Sequence, residues 1–175
     1  CCYPFQWLHR VIPSVNKERI HNHLSLEISP EHLEGIITFF IRKNYDLISL
    51  DMLPQWLEEN HKKNKKFVIF TFDDGYKDNL DFAYPILKKY NAPFTIYVTT
   101  SFPDKCAILW WYIIESIILK NTSISHSFST HDLNLDCSTY RKKEMAFSKL
   151  RGVIIKFHEN NLEQELAGFF SKFGY

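Results

Sequence analysis

Short apolar runs alternate with amphipathic segments through the first hundred residues, and each pattern predicts an element. Phe5–Ile12 reads as a first strand, closed by Pro13 and a polar stretch to about Leu26. Ser29-Pro30-Glu31-His32 has the form of a helix start, with Ser29 as the capping residue and Pro30 at the first helical position. Leu33, Ile36, Ile37, Phe40 and Ile41 then recur at helical spacing, which predicts a helix from Pro30 to about Lys43. Leu47–Leu50 reads as a short strand. Asp51 is placed to cap a helix through about Asn60, with Leu53, Trp56 and Leu57 on its inner face. Phe67–Phe72 is apolar on both faces, as in a strand buried within a parallel sheet. A helix from about Asn79 to Tyr90 and a strand at Phe94–Val98 continue the rhythm. Strands and helices alternating in this way build βαβ units, so the expected class is α/β with a parallel sheet.

The character changes after Pro103, beyond which the chain has no proline. Leu109–Leu119, with Trp110-Trp111-Tyr112 inside it, predicts a helix buried on most sides and too short to span a bilayer. A polar stretch rich in Ser, Thr, Asn and His runs from Lys120 to Tyr140, and two amphipathic helices are expected at about Arg141–His158 and Leu162–Phe173. Aromatic rings within an apolar helix are more often core than a sugar platform, and the Trp110–Tyr112 cluster is read as core on that ground.

Composition narrows the function classes. With 45% hydrophobic residues and 23% charged, the 175-residue chain is globular in composition, and Lys+Arg 21 against Asp+Glu 20 gives no nucleic-acid footprint. The basic run His61–Lys66 is short, lacks interleaved aromatics and joins a helix to a strand, so it reads as a solvated loop. Four cysteines are too few to staple the fold, and none form a C-x-x-C pair for zinc or redox work. Cys1 admits the lipid-bearing first residue of a processed lipoprotein, but an arbitrary fragment boundary is the favoured reading, since no export signal is visible. The compartment stays open.

One place concentrates chemistry: Thr71-Phe72-Asp73-Asp74-Gly75-Tyr76. Two carboxylates fall where a buried strand ends, the edge on which open α/β sheets and barrels build their sites. Side chains alternate across a strand, so Asp73 and Asp74 start out on opposite faces and suit different tasks. Gly75 permits the sharp turn that brings both towards one cleft. Two like charges side by side call for a cation, and a divalent metal would also act as a Lewis acid. The plainer alternative makes one Asp a helix cap or a solvated turn residue. A strand ending in Asp-Asp also occurs in magnesium-dependent phosphoryl-transfer pockets, but no Gly-rich phosphate loop and no partner Lys after a later strand accompany it here.

The stretch from Phe67 to Val98 resembles the first catalytic motif of the polysaccharide deacetylases, the NodB homology domains of carbohydrate esterase family 4. Strand-TFDDG-Y, the following helix, Pro85-Ile86-Leu87 and the run APFTIYV all occur in register. Leu8-His9-Arg10-Val11 is similar to the family's Tyr-His-Arg-Val first strand, with Leu8 in place of the aromatic. The resemblance implies an irregular (β/α) barrel. On that basis residues 1–103 are the N-terminal part of the domain, and residues 104–175 a helical insertion or extension of it. It implies Asp73 as general base, Asp74 as ligand of a divalent metal, usually zinc, and a first-strand histidine near the substrate; for His9 a site-lining role stands beside that of a hydrogen-bonded structural histidine, and Tyr76 is expected to line the rim. The reaction would remove N- or O-acetyl groups from a polysaccharide or glycan, in the cell envelope or outside the cell. Two family motifs find no counterpart. No histidine pair has the His-x-x-x-His spacing that supplies further metal ligands: His21 and His23 are two apart, His126 and His131 five apart, and His158 stands alone. No Arg-x-Pro-Tyr/Phe sequence occurs either. A deacetylase seen without its C-terminal part is therefore weighed against a catalytically incomplete remnant or carbohydrate-binding module.

Overall fold

Two units divide the chain in the computed structural model, Cys1–Val15 with Ser25–Ala107 and Asn16–Leu24 with Ile108–Tyr175. The residues described are 5–14, 18–20, 26–60, 65–104, 107–129, 132–157 and 159–175.

The first unit is organised by its most apolar segment. Strand β5 (Lys66–Asp74) pairs in parallel with β1 (Phe5–Leu8), β4 (Tyr45–Leu47) and β6 (Phe94–Val98). Its side chains separate by parity. Val68, Phe70 and Phe72 pack with Leu33, Ile37 and Phe40 of helix α1 (Pro30–Arg42), and with Leu87 of α3 (Tyr84–Lys89). Phe67 and Ile69 pack on the other face with Ile48 and with Trp56 of α2 (Leu53–Asn60). Burying such a side chain is worth about 1.5–3 kcal/mol, so helices on both faces make β5 the anchor of the unit. The α/β class and parallel sheet agree with the sequence pattern. Among the described residues the sheet is open rather than a closed barrel.

Several boundaries differ from expectation, each for a local reason. The predicted first strand breaks at His9: β1 pairs with β5, whereas β2 (Arg10–Val11) pairs with β3 (Glu27–Ile28). Ser29 caps α1 as expected, accepting from the His32 backbone N–H at 3.1 Å. The second strand lies at Tyr45–Leu47 rather than at 47–50, and a 3-10 turn (Leu50–Met52) takes up the residues before α2, so Asp51 is not a helix cap. Trp56 faces inward, its indole N–H donating to Asp46 at 2.8 Å, but Leu57 lies exposed. The helix expected from Asn79 begins instead as a π-helical turn (Asn79–Ala83), which gives way to α3 at Tyr84-Pro85. Pro85 has no N–H to give the α-helical ladder, which suits a change of winding there.

The second unit contains α4 (Trp110–Lys120), the antiparallel pair β7 (Ser123–Ser127) and β8 (Asp132–Asp136), α5 (Tyr140–Ile154) and α6 (Glu159–Lys172). The region expected to be helical thus carries a hairpin in its polar stretch. Ile124, Leu133 and Leu135 alternate inward from the two strands onto Ile114, Ile117 and Ile118 of α4 and Phe147 and Leu150 of α5. Trp110 packs against this core as well. Glu115 is buried, its carboxylate accepting from Arg19 Nε at 2.9 Å and from the Ile20 backbone N–H at 2.8 Å. Cys137 is a free, buried thiol whose pKa is pushed up by burial. Cys1, Cys2 and Cys106 fall outside the described residues, as do His61–Asn64 of the basic run. Among the described residues no helix is long and apolar enough to cross a membrane.

Candidate active site

The strand that anchors the first unit ends in its chemistry. By parity Asp73 should follow Ile69 and Thr71 on one face, and Asp74 should follow Phe70 and Phe72 on the other. The backbone cancels that separation. Asp74 has φ 72° and Gly75 φ 76°, and the Gly75 N–H donates to the Asp73 carbonyl at 2.9 Å. A bond between residues two apart around a positive φ is the mark of the rare, strained γ-turn. The sharp turn thus begins at Asp74 itself, one residue earlier than the glycine that sequence reasoning credited. A non-glycine residue held there stores about 1–3 kcal/mol, and asparagine and aspartate tolerate it best. Gly75 has a second constraint, since a Cβ at that position would stand 3.3 Å from both γ-carbons of Val98.

The turn brings both carboxylates to one histidine. His9 Nδ1 lies 3.1 Å from Asp74 Oδ2, and His9 Nε2 lies 3.9 Å from Asp73 Oδ2. Asp74 Oδ1 accepts from the Thr99 hydroxyl at 3.2 Å, just beyond the end of β6. The side chains of Asp73, Asp74 and His9 are 40%, 27% and 31% exposed, so the group is framed by the sheet edge yet reachable from solvent. Sequence reasoning named all three residues but not Thr99, whose only sequence signal is its place after an apolar strand parallel to the one carrying the acids.

Tyr76 follows the turn in the chain, with the Arg10 guanidinium 4.6 Å over its ring and Phe102 5.4 Å away between ring centroids. Asp78 was not anticipated. It is buried, and its Oδ2 accepts from Arg10 Nε at 2.8 Å and Nη2 at 2.7 Å, while its Oδ1 accepts from the Val11 N–H at 3.2 Å. Asn79, also buried, donates to the His9 carbonyl at 3.1 Å, and its own Oδ1 has no partner among the described residues.

The donor set sets a limit on metal chemistry. Among the described residues no group of three or more His, Cys, Asp or Glu side chains is arranged to hold a metal ion. A catalytic zinc normally takes three protein ligands, so Asp74 and its neighbours do not by themselves complete such a centre. Of the other histidines singled out by spacing, His126 packs its ring against Phe128 and Phe169, with centroids 4.5 Å and 5.0 Å away. Burial lowers its pKa, with Lys172 adding to the effect. His21, His23, His131 and His158 lie outside the described residues.

Residues 60–153, more than half of the chain, match the family model described as polysaccharide deacetylase. A protein of Bacillus subtilis (strain 168) named "Putative polysaccharide deacetylase YxkH" is 31% identical over 139 residues, covering 79% of this chain and 50% of that protein. The chain therefore spans about half the length of this curated relative. Among solved structures, the Streptococcus pyogenes deacetylase PplD in complex with acetate aligns over 59% of this chain and 45% of its own, at 26% identity and a TM-score of 0.46. A de-N-acetylase from Aggregatibacter actinomycetemcomitans aligns over 85% and 52%, at 20% identity and a TM-score of 0.47.

Proposed function

The chain belongs to the polysaccharide deacetylase family, and from that premise we propose that it hydrolyses acetyl groups from an acetylated carbohydrate. Asp73 is the general base and Asp74 a metal ligand in this reading. The observation that carries it is the γ-turn at the end of β5, which sets two neighbouring carboxylates against His9 on the solvent-reachable edge of a buried parallel strand.

The two acids differ in what holds them. Asp74 is fixed on both oxygens, by His9 and Thr99, which suits a group that must keep one orientation. Asp73 is the more exposed of the two, and its nearest cationic candidate stands 3.9 Å away, which suits a base that takes a proton from the attacking water. A positioned base of this kind contributes about 10²–10⁴-fold. His9 lines the site between the acids, and Tyr76 lies at its rim in reach of substrate. The metal, zinc by family resemblance, would be held through Asp74 together with ligands that the described residues do not supply, and would polarise the acetyl carbonyl. The substrate is an N- or O-acetylated polysaccharide or glycan. Amide hydrolysis would class the protein among hydrolases of non-peptide carbon–nitrogen bonds.

Acetate release tests the proposal. The protein is incubated with N-acetylated chito-oligosaccharide and, separately, with O-acetylated xylan, with zinc added and again with a chelator. The proposal expects zinc-dependent acetate from at least one substrate. Carbohydrate binding without any acetate, at every zinc concentration, would replace it with the binding-module reading.

A further inference from the structure

We propose that Arg10, Asp78 and Asn79 form a positioning clamp that holds the break in the first strand, so that His9 meets the Asp73–Asp74 pair. His9 is the one residue between β1 and β2, where sheet pairing passes from β5 to β3. A residue at such a break has no ladder of its own to fix it. The residues that follow Gly75 grip the chain at His9 and immediately after it instead. Asp78 receives the Arg10 guanidinium at 2.8 Å and 2.7 Å and the Val11 N–H at 3.2 Å, just after His9. Asn79 receives nothing in return for holding the His9 carbonyl itself, at 3.1 Å, since its own oxygen stays unpaired among the described residues. The Arg10 guanidinium also lies over the Tyr76 ring, 4.6 Å from its centroid, so the rim residue is tied into the same assembly.

The stretch from the end of β5 to the start of the following helical turn, residues 73–79, thus does two things. Its first residues turn the two carboxylates into the site, and its next residues seat the histidine that faces them. Asp78 and Asn79 are 8% and 3% exposed, which leaves them no direct approach to a substrate, so their part is positioning. The catalytic consequence rests on the deacetylase reading above, but the placement of His9 does not.

Nitrogen NMR of the chain with ¹⁵N-labelled histidine reads that placement directly, with the His9 signals assigned by their loss in His9→Gln. At fixed pH the clamp predicts a hydrogen-bonded ring nitrogen for His9 in the native chain. Asp78→Asn should shift it to the values of a free imidazole, and Arg10→Lys, which keeps the charge but loses the fork, should shift it part way. Glu34→Gln, which breaks an exposed ion pair with Lys89 in the same unit, should leave it unmoved. Folded Arg10→Lys with unaltered His9 nitrogens overturns the clamp, and that variant decides if Asp78→Asn does not fold. An equal shift in Glu34→Gln overturns it too, as a general loosening. In the acetate assay Asp78→Asn should lower kcat about 10–100-fold with KM little changed. If no form of the protein releases acetate, the deacetylase reading falls while the NMR result still judges the clamp.

Discussion

The two units hold their carboxylates in different ways. In the second unit the buried carboxylate of Glu115 is spent internally, on Arg19 and on the Ile20 backbone, and its side chain is only 5% exposed. In the first, the charged groups gather at the end of β5 around a strained turn, and Asp73 and Asp74 remain open to solvent. Asp78 stands between these extremes, buried and paired yet placed to hold His9. A paired and enclosed charge contributes to holding a fold. Charges that converge while still exposed, on a backbone that bears strain to bring them together, mark a place where something is bound or transformed.

Substitutions can break that contrast, and the largest effect is expected at the acids. Asp73→Asn should cut acetate release by about 10²–10⁴-fold while thermal unfolding changes little, because the carboxylate is not part of the core. Glu115→Ala should do the reverse within its own unit. Leaving Arg19 without its buried partner costs about 3–5 kcal/mol, which would appear as much faster amide hydrogen exchange in β7, β8 and α5. Gly75→Ala should cost about 1–2 kcal/mol in urea unfolding, since it adds a side chain at positive φ against Val98. Gly174→Ala, also at positive φ but with open space around it, should cost less.

The smallest effect concerns pH. Burial lowers the pKa of His126 in the folded state, with Lys172 acting in the same direction and Glu165 opposing it. The unfolded chain then binds the proton more readily, so stability rises with pH through this range. The contribution is complete above the ordinary histidine value of about 6.5 and is lost as pH falls below it towards the lowered folded value. Amide protection factors in the second unit, normalised to the intrinsic exchange rate at each pH, should therefore fall modestly from pH 7.5 to pH 5, and His126→Phe should flatten that dependence.

Much of the first unit was legible because its signals are local. Ser29 and Pro30 announce α1, and Phe67–Phe72 and Phe94–Val98 announce neighbouring parallel strands. The hairpin was legible but concealed. Ile124, Leu133 and Leu135 alternate strictly with polar neighbours, yet the surrounding Ser, Asn and Asp made the stretch read as loop. Other features had no local signal at all. Arg10 meets Asp78 across 68 residues and Arg19 meets Glu115 across 96, and nothing near either residue in the chain specifies its partner. The break at His9 arises because the strand changes partners, which is a property of the assembled sheets rather than of Phe5–Ile12. At the site, Asp73, Asp74 and His9 were found from motif and position, whereas the γ-turn at Asp74 and the Thr99 contact needed the folded backbone.

The central claim is that one turn gives two adjacent carboxylates different work. Acetate release by Asp73→Asn and Asp74→Asn, each followed across a zinc titration, tests it most directly. The account predicts that Asp74→Asn recovers part of its activity as zinc is raised, because a weakened ligand is offset by mass action. Asp73→Asn should recover none of its lost activity at any concentration. Identical responses of the two variants to zinc would contradict it.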